Sequence, residues 1–412
     1  MRIPFCRSNT SYADQSNYMM LTTVLRGLVD KYNLQGEVIG EVNAGAVMTH
    51  SSDWNLAREI VLGTDLSPAT PGTTMQQACG TSLQCAMASA AKIATGQIDC
   101  AIAAGSDTTS DVPIVFGKKF SKRLVGLGKA RSMSAKLKLF KGFSPKELAP
   151  KPPPVAEPRT LLSMGQHCEL MAQEWEITRE AQDQLAMESH LKAAAAYSEG
   201  FFDDLLVPCA GVTRDNNMRP DSNMEALAGL RNAYERSEKG TLSAGNSTPL
   251  TDGAAGVLLC SEEWARERGL PVLAYMTHSQ TASVDFVAGD GLLMGPTLAV
   301  ANMLKQASMS LQDFDVYEIH EAFAAQVLCT LKAWETESYC RDHLGLDAAM
   351  GSIDRERMNP KGSSLAVGHP FAATGARIVG TLAKILEERG SGKGLISVCT
   401  AGGMGVCAIL ER

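Results

Sequence analysis

The chain has 412 residues, 45% of them apolar and 20% charged, with a formal net charge of −7 and a pI near 5.6. That length suggests two or three domains rather than one core, and the acidic balance argues against a dedicated nucleic-acid binder. Eleven cysteines without a Cys-x-x-Cys pair fit reduced thiols, not a disulfide frame or a structural zinc site, so no metal is expected. Met1 to Arg7 shows no apolar signal core, and Leu410-Glu411-Arg412 carries no peroxisomal address. Every apolar run is broken by Gly, Pro or charge before it could span a bilayer, so a soluble cytoplasmic protein is expected.

Taken in order, Gly36 to Met48 reads as a strand ending in a Gly/Ala-rich loop. Gln76-Gln77-Ala78-Cys79-Gly80-Thr81-Ser82-Leu83-Gln84 then leads into a run of small residues, Cys85 to Gly96, that predicts a tightly packed helix. Cys79 falls at or near the start of that helix, where unpaired N–H groups and the helix dipole favour a thiolate. Cysteine is more often a small apolar filler; its position here makes it a candidate nucleophile. Ile98 to Gly105 reads as a buried strand. Strand, helix and strand in this rhythm predict a mostly parallel sheet with helices on its faces.

The middle of the chain differs in texture. Residues 118–146 hold ten Lys and Arg and no acidic residue, interleaved with Leu124, Val125, Leu127, Leu137, Leu139, Phe140 and Phe143. A solvated loop, a site for a polyanion such as a nucleotide phosphate, and a contact with an anionic membrane surface all fit. The apolar interleaving favours the membrane over the phosphate. Pro150 to Pro158 cannot be helical throughout, and Met164 to Ala196 predicts one or two amphipathic helices. The region reads as an insertion rather than a sheet layer.

The second half repeats the first rhythm. Phe314 to His320 is a strand running into a polar loop, His369-Pro370 opens another small-residue helix, and Gly394 to Cys399 is a buried strand. A duplicated architecture places a site on the seam between the halves, where strand ends converge. At predicted element boundaries lie Cys79, His320 with Glu321, His369, and Cys399 followed by the loop Thr400-Ala401-Gly402-Gly403. Two thiols, two imidazoles and a glycine loop that lets backbone N–H groups approach a ligand suit acyl transfer with carbon-acid chemistry.

These stretches, with Met164-Gly165, Ser243-Ala244-Gly245-Asn246, Asp252-Gly253-Ala254-Ala255, Met294-Gly295-Pro296, His320-Glu321-Ala322-Phe323 and Gly368-His369-Pro370, resemble the thiolases over nearly the whole chain. The resemblance implies an α/β, five-layered αβαβα fold of two duplicated halves with an inserted loop domain. Residues 1–117 with 246–267 would form the N-terminal half, 118–245 the insertion and 268–412 the C-terminal half. It implies that Cys79 becomes acylated, that His369 takes its proton, and that Cys399 is the second acid/base. One oxyanion site would use His369 and a water held by His320, the other the backbone N–H groups of Cys79 and Ala401. Thr248 would touch the pantetheine of coenzyme A, with Met164, Met294 and Phe323 lining its tunnel. Coenzyme A enters as a substrate, and no tightly bound cofactor is implied.

Many thiolases carry asparagine where His320 stands and glycine where Ala401 stands. The motifs here are similar to the β-subunit branch of the trifunctional β-oxidation complex. That branch implies 3-ketoacyl-CoA thiolase activity on medium or long chains, a homodimer or tetramer, a hydratase/dehydrogenase α-subunit as partner, and peripheral membrane contact, here through 118–146. Met164-Gly165-Gln166-His167-Cys168-Glu169 and Gly80 depart from the usual family pattern. The alternative is an acetoacetyl-CoA thiolase preferring short chains. A fatty-acid-making condensing enzyme is disfavoured by the second thiol, and a non-catalytic lipid-binding subunit by the presence of all four side chains.

Overall fold

Two sheets and the helices between them carry the structure, a computed structural model that describes residues 1–412. The first sheet has the order Cys6–Arg7, Thr251–Cys260, Cys100–Asp107, Glu41–Gly45, Gly72–Thr74. The second has the order Tyr275–Ser283, Met404–Glu411, Lys393–Thr400, Val316–Ile319. In each half a helix of small residues precedes a fully buried strand: Thr81–Ala94 before Cys100–Asp107, and Thr374–Arg389 before Lys393–Thr400.

Three apolar clusters define the layers. Helices Asn17–Lys31 and Leu56–Leu62 cover the outer face of the first sheet. Helices Thr81–Ala94 and Thr374–Arg389 lie between the sheets, where Leu83, Ala86, Ala376 and Ile378 meet Ala103, Ile396 and Val406. Helices Gly295–Ala307 and Ala324–Glu335, with Met164–Glu174 from the insertion, cover the outer face of the second sheet. The order is helix, sheet, helix, sheet, helix, the five layers expected.

The small residues of the central helices let them cross closely. A Cβ added at Gly375 would sit 2.3 Å from the Leu83 nitrogen. The Ala376 N–H also donates to Ser82 Oγ at 2.8 Å, binding one helix start to the other. This crossing brings the first turns of both helices, and the loops that feed them, to the same point.

The sheets are mixed, not mostly parallel. Glu41–Gly45 pairs in parallel with Gly72–Thr74 and Cys100–Asp107, and Val316–Ile319 pairs in parallel with Lys393–Thr400. The remaining four pairings are antiparallel. Only three residues, Ala401 to Gly403, join Lys393–Thr400 to Met404–Glu411, and so short a link permits only a hairpin. Thr251–Cys260 enters after the insertion and runs against Cys100–Asp107 with Cys100 opposite Cys260.

Residues 108–250 add no strand to either main sheet. Met164 to Ala196 forms two helices, Met164–Glu174 and Arg179–Ser198. The first starts from a Ser163/Gln166 capping box and the second from Thr178, whose hydroxyl accepts from the Ala181 N–H. The basic stretch forms helices Lys118–Lys129 and Met133–Leu139 with no buried residue in either. Phe120, Phe140 and Phe143 make a small aromatic contact of their own there, and Arg123 pairs with Glu147 at 2.8 Å. No helix is long and apolar enough to cross a membrane.

Candidate active site

Cys79 stands on a tight turn two residues ahead of helix Thr81–Ala94, with Gly80 as its N-cap. Ala78 before it has φ +46°, a left-handed conformation that a Cβ disfavours. Thr81 holds the turn: its hydroxyl donates to the Ala78 carbonyl at 2.7 Å and accepts from the Gln77 N–H at 2.8 Å. The strained turn lifts Cys79 toward the second half of the chain.

His369 comes from that half. Its Nε2 lies 3.1 Å from Cys79 Sγ, and its Nδ1 lies 2.6 Å from Thr374 Oγ1 on the first turn of helix Thr374–Arg389. Its backbone N–H donates to Thr251 Oγ1 at 2.8 Å, so the strand that follows the insertion also fixes the histidine. Asp107 holds the surrounding loops together by accepting from the N–H groups of Val47, Met48 and Ala372.

Cys399 is the penultimate residue of strand Lys393–Thr400, opposite Gly405 and shortly before the turn in which Gly402 and Gly403 have φ +80° and +75°. The two cysteine segments touch at Gly80: a Cβ there would lie 2.7 Å from Val406 Cγ2 and 3.0 Å from Thr400 Cγ2. Gly80, which departs from the usual family pattern, is therefore where the nucleophile's turn rests on the Cys399 hairpin. The Ala401 N–H pulls the Cys79 thiol down, against its burial. Glu157, from the insertion, accepts the N–H of the following residue, Gly402, at 3.1 Å.

His320 follows strand Val316–Ile319, and its ring lies 4.1 Å from that of His369, centroid to centroid. Its Nδ1 is 2.8 Å from Ser364 Oγ, and its Nε2 is buried without a partner. Glu321, beside it, accepts from Ser189, Asn359 and the Leu365 N–H and so serves the scaffold. Cys79, His369 and His320 meet directly, and the hairpin that carries Cys399 borders the Cys79 turn.

The expected coenzyme A contacts lie next to this centre. Thr248 donates its hydroxyl to the Ala322 carbonyl at 2.8 Å, which ties its segment to the His320 loop. Met294 and Phe323 share an apolar cluster with Cys399, and Met164 packs against it. Met294 is fully buried, whereas Phe323 meets Tyr234 edge-on at 5.9 Å.

Burial sets the electrostatics. It pushes the Cys79 thiol up to about 12, against the pull of the Ala401 N–H, and pushes His369 down to about 3, with Arg377 adding repulsion. Burial also holds His320 well below its ordinary value, with His369 and Arg377 reinforcing it. It raises Cys399 well above its own, with Cys79 adding to the effect. The helix start favours a thiolate locally, yet desolvation outweighs it. Burial thus favours a thiol and a neutral imidazole, with Cys79 Sγ and His369 Nε2 in contact.

Sequence reasoning missed Ser364, Thr374, Arg377, Thr251 and Asp107. Ser364 and Thr374 each lie five residues from His369, but their roles depend on which imidazole nitrogen they meet in space.

A family model described as thiolase, N-terminal domain, matches residues 1–263, and one described as thiolase, C-terminal domain, matches residues 270–412. The chain is 40% identical to a 3-ketoacyl-CoA thiolase of Shewanella baltica (strain OS185), over 100% of this chain and 95% of that protein. It is 39% identical to a 3-ketoacyl-CoA thiolase of Aliivibrio fischeri, over 100% and 94%. Among solved structures, the Bacillus anthracis acetyl-CoA acetyltransferase superposes with a TM-score of 0.82 at 28% identity, covering 100% of this chain and 96% of that one. Human mitochondrial 3-ketoacyl-CoA thiolase in complex with CoA superposes with a TM-score of 0.81 at 24% identity and the same coverage, a likeness of fold.

Proposed function

Because the chain belongs to the thiolase family, we propose that it is a 3-ketoacyl-CoA thiolase acting in fatty-acid β-oxidation. The observation that carries this reading is the 3.1 Å contact of Cys79 Sγ with His369 Nε2, with Thr400 and Val406 of the Cys399 hairpin against the same turn. Cys79 attacks the 3-keto carbon while its proton passes to His369. The bond between C2 and C3 then breaks, its electron pair remains on C2, and Cys399 protonates that carbon to release acetyl-CoA. The shortened acyl group stays on Cys79 as a thioester. In the second half, the thiol of coenzyme A gives its proton to the Cys399 thiolate and attacks the thioester carbonyl. Cys79 departs and recovers its proton from His369. Backbone N–H groups of Cys79 and Ala401 face the oxyanion formed on the acylated side, where losing one donor costs about 10²–10³ in rate.

A dry site suits this chemistry. No group carries a charge it must shed before substrate arrives, and each charge forms where a donor or proton acceptor already stands. Brief exposure of the protein to 3-ketoacyl-CoAs of graded length, followed by peptide mass spectrometry, tests the reading. Cys79 should carry an acyl group two carbons shorter than the substrate. Strict acceptance of the four-carbon substrate would replace it with an acetoacetyl-CoA thiolase, and acylation elsewhere would overturn it.

Helices Lys118–Lys129 and Met133–Leu139 support a further partner, an anionic membrane surface. Val125 is 64% exposed, Met133 71% and Leu137 69%, among lysines that no carboxylate in the stretch neutralises. Co-sedimentation with vesicles containing phosphatidylserine should be salt-sensitive, and deletion of 118–146 should abolish it. Unchanged binding after the deletion would refute this contact. A homodimer or tetramer and a hydratase/dehydrogenase α-subunit complete the proposed assembly, to be read by light scattering and by co-purification.

A further inference from the structure

Ser364 is buried, and its hydroxyl has two partners: Arg377 Nη2 at 2.6 Å and His320 Nδ1 at 2.8 Å. A guanidinium only donates, so Ser364 Oγ is the acceptor in the first contact. The hydroxyl's single proton then has one partner able to receive it, the lone pair of His320 Nδ1. A neutral imidazole carries one proton, and with Nδ1 accepting, that proton resides on Nε2.

The rest of the network keeps this arrangement in place. Arg377 is buried on helix Thr374–Arg389, donates through Nη1 to Ser363 Oγ at 3.3 Å, and lies 4.0 Å from the buried Glu318 carboxylate. Glu318 lies in strand Val316–Ile319 and His320 directly follows it, while Ser363 precedes and Ser364 begins the short helix Ser364–Val367 that leads to His369. His320 Nε2 has no partner within the protein, although a buried donor left unpaired costs about 1–3 kcal/mol. The ring packs against that of His369 at an angle of 47°, and His369 Nε2 faces Cys79.

We propose that Ser364 and Arg377 are positioning residues that hold His320 in its Nε2–H tautomer, so that His320 offers a hydrogen-bond donor beside His369 to a carbonyl oxygen of the bound thioester or to a water bridging to it. This proposal rests on the thiolase reading for its substrate, but the tautomer is a property of the free protein. Without Ser364 the two tautomers compete, and a fraction of the enzyme presents a lone pair where a donor is needed.

Nitrogen NMR of the protein labelled with ¹⁵N-histidine reads the tautomer directly. The chain has seven histidines, and the ring resonances lost in His320→Asn identify the relevant pair. At pH 7 the His320 Nδ1 should resonate as a bare nitrogen and Nε2 as a protonated one. A protonated Nδ1, or two averaged nitrogens, would overturn the proposal whatever the enzyme's activity. In Ser364→Ala the two ring nitrogens should move toward an average, and kcat for thiolysis should fall about two- to threefold, in proportion to the fraction left in the Nδ1–H tautomer, with KM nearly unchanged. Wild-type kcat in that variant would refute the positioning role, and the wild-type spectrum decides the tautomer even if the variant fails to fold. Absence of an acyl group on Cys79 would instead sink the thiolase reading and leave the tautomer measurement standing.

Discussion

Gly80→Ala places one methyl group between the nucleophile's turn and the hairpin that carries Cys399. Gly80 has φ −83° and ψ −3°, which alanine adopts freely, so the substitution tests contact and not backbone strain. The new Cβ would lie 2.7 Å from Val406 Cγ2, against about 3.5–4.0 Å for a relaxed carbon contact, so the hairpin must retreat by about 1 Å. Val406 and Thr400 are both fully buried and have no flexible far end to swing aside. Overpacking of this kind costs about 1–3 kcal/mol. A 1 Å displacement of reacting groups costs about 10²-fold in rate. Steady-state thiolysis should therefore show kcat/KM reduced about 10²-fold, with a modest fall in Tm by calorimetry. Adding Val406→Ala removes the nearer methyl and should restore most of the rate but not the stability. Wild-type kcat/KM and Tm in Gly80→Ala would refute the claim that this contact sets the spacing of the two thiols.

Three further outcomes follow from the electrostatics and the scaffold. Because desolvation pushes the half-buried Cys79 thiol up, its alkylation by iodoacetamide should keep accelerating as pH rises from 6 to 10, whereas a plateau near neutrality would mean a thiolate–imidazolium pair. His369 is lowered from 6.5 to about 3, so its stabilising contribution is complete above pH 6.5 and is lost as pH falls toward 3, while the unfolded chain takes up the proton. Relative to His369→Asn, denaturant titrations of the wild type should lose about 1.4 kcal/mol more per pH unit within that window. Asp215 is fully buried at its side chain, pairs with Arg2 at 2.6 Å, and also accepts from the Phe5 N–H and Tyr197. Asp215→Ala leaves Arg2 charged and alone, and unfolding in urea should show a loss of about 3–5 kcal/mol.

The reactive groups were legible because each lies at an element boundary inside a short, unusual stretch, and periodicity located those boundaries. Cys79 before a small-residue helix and His369 before another already imply two helix starts, and the Gly375 contact shows why they meet. The groups that tune the site were not legible. Ser364 meets His320 across 44 residues of sequence, and which ring nitrogen it meets depends on how the loop after Asn359 packs. The thiolate expected at Cys79 rests on a local feature, the helix start, whereas the desolvation that opposes it is tertiary. Strand direction was likewise tertiary, since Thr251–Cys260 reads the same whether it runs with or against Cys100–Asp107.

That strand has a consequence for biosynthesis. Cys100–Asp107 leaves the ribosome with its partner Thr251–Cys260 still unmade, and residues 108–250 must be added first. At about 5–20 residues per second the delay is about 7–30 s. During it Ala101-Ile102-Ala103-Ala104 presents an apolar, unpaired edge to other nascent chains. The helices of the insertion can form within that interval, so they complete themselves while the sheet beneath them is still open.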